Sequence, residues 1–116
     1  TYCDQIKHRV LGVEQETLDR YTAVSYQTAR EMAAGSLKLY QSDVAVSATG
    51  YAGPGGGTED DSAGTFYIGW AYRSADGGVP VVDSMRCHYE GDRSCVRAHA
   101  VAEALGRIVY VLDSME

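Results

Sequence analysis

Asparagine is missing from all 116 residues, so no Asn-x-Ser/Thr glycosylation acceptor exists in the chain. Cysteine is scarce and odd in number. Cys3, Cys87 and Cys95 do not make the even, dense framework of a disulfide-stapled secreted domain, and a reducing cytoplasmic setting is expected. Long apolar runs are lacking too: nothing approaches the roughly 18 to 20 residues that cross a bilayer, and no charged stretch leads into an apolar signal core. Basic residues are the minority, ten Lys plus Arg against sixteen Asp plus Glu. The resulting net charge of −6 repels phosphate backbones and anionic lipid heads, so neither nucleic acid nor membrane is an expected partner.

What is present, 45 % hydrophobic and 22 % charged residues, fits one ordinary globular domain over residues 1–116 and excludes disorder and low complexity. Thr1 rather than Met opens the chain, with a helical pattern directly behind it, so an upstream portion is expected to be missing. Asp4 is placed to cap a helix running through Lys7, His8 and Leu11, which Gly12 stops. A second short helix covers 14–21. Ser25 precedes a longer one over 26–41, where Ala29, Met32, Ala33, Leu37 and Tyr40 recur at three- and four-residue steps as a buried stripe.

Residues 44–49, mostly apolar and ending in glycine, read as a strand buried on both faces. Residues 65–73 and 79–89 flank the turn Ala75-Asp76-Gly77-Gly78 as a hairpin. Asp92 then caps a last helix reaching about Leu112, with Val101, Ala104, Leu105, Ile108, Val109 and Leu112 as its apolar face. The order implies an α/β fold, helices packed on a mixed β-sheet in three layers, with the sheet incomplete. Three strands leave an edge uncovered, which an upstream strand and helix or self-association would close.

The outstanding local feature is the loop Gly50-Tyr51-Ala52-Gly53-Pro54-Gly55-Gly56-Gly57-Thr58, followed by Glu59, Asp60 and Asp61. Glycines after a strand let backbone N–H groups approach a phosphate or carboxylate closely, and Thr49 and Thr58 add hydroxyls at the two ends. The loop lacks the lysine of a G-x-x-x-x-G-K-[ST] motif, and a plain flexible loop has the same composition. Lys7 reads either as a solvated surface charge or, if buried, as a base whose amine is freed by desolvation. Arg93 reads either as an anion contact at a helix start or as the salt-bridge partner of Asp92 or Glu90. Cys87, His88, Cys95 and His99 carry metal-binding atoms at spacings that fit no standard zinc site, and no metal or other cofactor is expected. Cys3 reads as a small core residue. No G-x-S-x-G, S-x-x-K or H-E-x-x-H motif supplies a nucleophile or hydrolytic metal site.

In order, Tyr2-Cys3-Asp4-Gln5-Ile6-Lys7, Leu11-Gly12-Val13, Glu16-Thr17-Leu18, Ala23-Val24-Ser25, Ala29-Arg30-Glu31-Met32-Ala33, the block from Thr49 to Gly57 and Gly91-Asp92-Arg93 resemble the C-terminal domain of the competence/damage-inducible protein CinA. That family includes the stand-alone nicotinamide-nucleotide amidase PncC. The resemblance implies hydrolysis of the carboxamide of nicotinamide mononucleotide to nicotinate mononucleotide and ammonia by a serine hydrolase with a lysine base. Lys7 is then the proton acceptor and Tyr2 its hydrogen-bonding aid. Thr49, Gly50, Gly53, Gly55 and Gly56 hold the small-molecule nucleotide, and Arg93 meets its anionic part. The family's nucleophilic serine lies ahead of the Tyr-Ser-Asn-x-x-Lys motif with which this chain begins, so pairing with an upstream segment, or homo-oligomerisation, is expected. Cys3-Asp4 stands where the family has Ser-Asn, and Asp60-Asp61-Ser62-Ala63-Gly64 where it has a Pro-x-Lys-Pro-Val-Gly-like run. The alternative is a non-catalytic nucleotide-binding or interaction module that keeps the loop without the reaction.

Overall fold

The computed structural model describes residues 3–53 and 55–114. Four helices and three strands follow in the order α1 (Asp4–Arg9), α2 (Gln15–Tyr21), α3 (Tyr26–Leu39), β1 (Val44–Gly50), β2 (Thr65–Tyr72), β3 (Val81–His88) and α4 (Arg93–Ser114). The local signals act where they were expected at two helix starts. The Ser25 hydroxyl accepts the Thr28 N–H at 3.1 Å, and the Asp92 carboxylate accepts the Cys95 N–H at 2.8 Å. Asp4 does not cap: Cys3 is the N-cap of α1 and makes no side-chain bond there, while Asp4 lies inside the first turn, where its charge still favours the helix dipole. Glu31 of α3 takes over the capping of α2, accepting the Glu14 N–H at 2.8 Å and the Thr17 hydroxyl at 2.7 Å.

The strands form one sheet in the order β1-β2-β3. Both pairs are antiparallel, with register from Val44↔Tyr72 to Gly50↔Phe66 and from Thr65↔His88 to Tyr72↔Val81, so the described part of the sheet contains no parallel pair. Side chains of β2 alternate between two cores, as a strand's period of two requires. Phe66, Ile68 and Trp70 pack with Cys87 and with Val96 and Val111 of α4. Ala71 instead meets Ala33 and Leu37 of α3, and Tyr67 sets its ring edge-on to Tyr26. The result is three layers, α3 and α4 on opposite faces of the sheet. A third cluster of Leu11, Val13, Leu18 and Met32 ties the α1–α2 region to α3. Gly69 is required for this stacking, because a Cβ there would strike the Ala29 carbonyl of α3.

Four further sequence expectations fail. The strand buried on both faces is β2, not β1: β1 has only one partner strand among the described residues, and Ala48 and Gly50 are exposed. Tyr40 belongs to no buried stripe, since α3 ends at Leu39 and leaves that ring exposed. Cys3 is exposed rather than in the core. The inner face of α4 carries Val96, Ala100, Ala104 and Val111, whereas Val101, Leu105, Val109 and Leu112, expected to be inside, are exposed. A helix that is apolar on two sides offers periodicity with two solutions, and the smaller residues fit against the sheet.

Candidate functional site

At the end of β1 the chain opens into a cleft of about 710 Å³. Its floor is Ala48 to Gly50 with Phe66 of β2. One wall is Lys7 from α1, another is the loop through Tyr51, Ala52, Gly53 and Gly55, and the first two turns of α4 close it with Arg93, Val96, Arg97 and Ala100. Gly50 admits no side chain, because a Cβ would collide with Phe66 and the Thr65 carbonyl. Gly53 and Gly56 adopt φ of 82° and 85°, a backbone that other residues rarely take. The two limbs of the loop are then held together by Tyr51 N–H to the Thr65 carbonyl at 2.9 Å and Gly64 N–H to the Tyr51 carbonyl at 2.6 Å.

Lys7 is the unusual wall. α1 turns Ile6 and Val10 toward solvent and buries its lysine to 4 % exposure, the inverse of what hydrophobicity dictates for a short surface helix. Burial pushes the ammonium pKa below its ordinary value, against an opposing pull from Asp4 and Cys3. Position is fixed by the backbone on both sides, Lys7 N–H to the Cys3 carbonyl at 3.1 Å and Val13 N–H to the Lys7 carbonyl at 3.0 Å. Of the two readings of Lys7 open from spacing, the geometry therefore matches the desolvated one.

Arg93 lines the cleft and forms no ion pair with Asp92 or Glu90 among the described residues; Asp92 is spent on the helix cap, and Glu90 approaches His88 at 3.8 Å. Arg97, one turn further along α4, lines the same cleft and was missed from sequence. Its i+4 spacing from Arg93, on a helix whose start was already marked by Asp92, was the available signal. Among the described residues no aspartate or glutamate lines this cleft, although the chain as a whole carries −6.

The remaining expected site residues are distributed differently. Gly50, Gly53 and Gly55 line the cleft, while Gly56 does not. Thr49 lines it too, but its hydroxyl donates to the Ala23 carbonyl and so ties the strand end to the α2–α3 connection. Thr58 lies away from the cleft and accepts the Asp61 N–H at 3.0 Å. Tyr2 lies outside the described residues. Cys87 is buried, which raises its thiol pKa, and neighbouring His88 meets the Thr65 hydroxyl at 3.0 Å instead. His99 stacks on Tyr89 with ring centroids 4.0 Å apart, and no group of three or more potential metal ligands occurs among the described residues.

Beyond the cleft, the acidic limb of the loop is clamped to the α3 side of the sheet. Asp61 accepts from the Tyr67 hydroxyl at 2.7 Å and from Arg86 Nε at 3.1 Å. Burial and the Asp61 carboxylate push the Tyr67 pKa up to about 12. Asp61 thus occupies the stretch that departs from the family pattern, and its charge is answered by Arg86 rather than directed into the cleft.

A layered α/β domain with a glycine loop at a strand end, a buried lysine and a helix start bearing arginines defines a class, and the comparisons place it. The sequence profile of the CinA C-terminal domain matches residues 1–112, and the chain belongs to that family. It is 37 % identical to Protein YdeJ of Escherichia coli over 112 residues, 97 % of this chain and 62 % of YdeJ. With a CinA-like protein of Chlorobaculum tepidum it shares 40 % identity over its whole length, which is 27 % of that protein. The crystal structure of a competence-damaged protein (CinA) superfamily protein from Enterobacter cloacae superposes with a TM-score of 0.84 at 40 % identity, over 97 % of this chain and 63 % of the other. The chain therefore spans less than two thirds of these relatives. No helix among the described residues is long and apolar enough to cross a membrane.

Proposed function

We propose that this chain is the substrate-holding and proton-accepting part of an amidohydrolase that converts nicotinamide mononucleotide to nicotinate mononucleotide and ammonia. The observation that carries the reading is the cleft that brings a desolvated Lys7 into one lining with Arg93 and Arg97, with no carboxylate among the described lining residues. In an acidic protein such a cleft concentrates anions, and two guanidiniums one helical turn apart suit a phosphate. Loop N–H groups at Gly53 and Gly55 supply donors for a developing oxyanion. Lys7 as the neutral amine takes the proton of the attacking hydroxyl and returns it to the departing ammonia, and water then releases the acid. The nucleophile is the serine that the family resemblance places ahead of Tyr2. A cytoplasmic salvage role fits this substrate.

One observation favours the second reading, a nucleotide-binding module without turnover. Thr49 is the only hydroxyl-bearing aliphatic side chain lining the cleft among the described residues, and its proton is committed to Ala23. Ammonia release from nicotinamide mononucleotide, measured on a preparation whose polypeptide content is verified by mass, separates the two. Release that Lys7→Met abolishes supports the amidase. Tight binding of the nucleotide with no release in any assembly supports the module, and absence of binding removes both.

A further inference from the structure

Nicotinamide mononucleotide carries two charges of opposite sign, the phosphate and the pyridinium ring that bears the reacting carboxamide. Arg93 and Arg97 suit the first. The second meets no ionic partner, because among the described residues no carboxylate lines the cleft, while both guanidiniums repel a cation. An aromatic face, negative through its quadrupole, attracts a cation without any formal charge. Two rings line the cleft among the described residues, Phe66 and Tyr51. Phe66 is already committed to the fold: it is 3 % exposed, packs with Val96 of α4 and stacks on Tyr89 with ring centroids 5.9 Å apart.

Tyr51 is committed to nothing else. It is half-buried, and among the described residues its ring makes no aromatic contact and its hydroxyl no hydrogen bond. Its backbone is nevertheless held on both sides, by the bonds to the Thr65 carbonyl at 2.9 Å and from the Gly64 N–H at 2.6 Å. The direction in which the side chain leaves the loop is therefore set before a ligand arrives, and only two torsions remain to be ordered on binding. Gly56, which does not line the cleft, stands beside this ring: a Cβ there would lie 3.8 Å from Tyr51 Cδ1. We propose that Tyr51 is a specificity-determining residue of the cleft, its ring face receiving the substrate's pyridinium by cation–π attraction while the arginines hold the phosphate. The assignment rests on the amidase reading for the substrate and adds which form of the pyridine ring is taken, the oxidised cation rather than the neutral dihydropyridine.

The test is isothermal titration calorimetry of the purified chain with nicotinamide mononucleotide and with its reduced, dihydropyridine form. Both carry the same phosphate, so the contribution of Arg93 and Arg97 cancels and the difference reads the ring alone. The chain is expected to bind the oxidised form about tenfold more tightly, the size of a partly desolvated cation–π contact. Tyr51→Leu, which keeps apolar bulk without a π face, should abolish that preference, and Tyr51→Phe should retain it, with circular dichroism unchanged in both variants. Equal affinity of the unsubstituted chain for the two forms, or a preference that survives Tyr51→Leu, would overturn the assignment and leave the amidase reading standing. Failure of both forms to bind would instead remove the amidase reading, and this assignment with it.

Discussion

On the α3 side of the sheet, Arg86 meets Asp61 at 3.1 Å and Tyr67 completes the trio, so positive charge, negative charge and hydroxyl are all answered within the fold. In the cleft by α4, Arg93 and Arg97 line one wall, and among the described residues no carboxylate lines it. Both groups flank the same glycine loop. The difference separates two settings of a guanidinium: Arg86, paired with Asp61, holds chain to chain, whereas Arg93 and Arg97 line an open cleft, where we propose that the substrate's phosphate sits. It also accounts for Asp61 beside the proposed anion site, since its carboxylate is turned to Arg86.

Substitutions should break this comparison unequally. The largest effect is expected at Lys7: in an assembly that releases ammonia, Lys7→Met should lower kcat by about 10²- to 10⁴-fold, the range of a lost general base. Because burial lowers the Lys7 pKa, activity should rise with pH through a pKa below the ordinary lysine value, and a pH–rate profile checks this directly. Next, Arg93→Ala and Arg97→Ala should each weaken nicotinamide mononucleotide binding about tenfold, the size of one charge-assisted hydrogen bond, with little change for the phosphate-free riboside. Isothermal titration calorimetry of the two ligands reads both effects.

On the structural side the expected losses are smaller and fall on stability. Asp61→Asn should cost about 1 kcal/mol in denaturant unfolding by weakening the Arg86 and Tyr67 bonds, and should leave kcat within about twofold. Tyr67 sharpens the same point with pH. Its folded-state pKa of about 12 lies above the ordinary 10, so its stabilising share is complete below pH 10 and is lost as pH rises toward 12. Tyr67→Phe should remove that alkaline loss, as thermal melts across pH 9 to 12 would show. Ser25→Ala should cost about 1 kcal/mol through the lost cap at α3.

Much of this organisation is legible in the residues themselves. Ser25 and Asp92 mark helix starts because their short oxygens reach orphan N–H groups, and the glycine loop announces itself by composition. Lys7 is different. Spacing alone favoured a surface charge over a base, since nothing local in the sequence shows that Lys7 comes to line one cleft with the end of β1 and the first turns of α4. The inner face of α4 was misread for a related reason: two apolar stripes share one helix, and only the sheet decides which is covered. Arg97 escaped attention because a lone arginine on a helix is ordinary until its neighbour one turn away is known to face a cleft.

The most direct test of the account is a calorimetric comparison of nicotinamide mononucleotide with its phosphate-free riboside on the purified chain at low and high salt. The account predicts that the mononucleotide binds at least tenfold more tightly, that salt erodes the advantage, and that Arg97→Ala removes most of it. Equal affinity for the two ligands, unaffected by salt or by Arg97, would contradict the claim that this cleft is built to hold an anion.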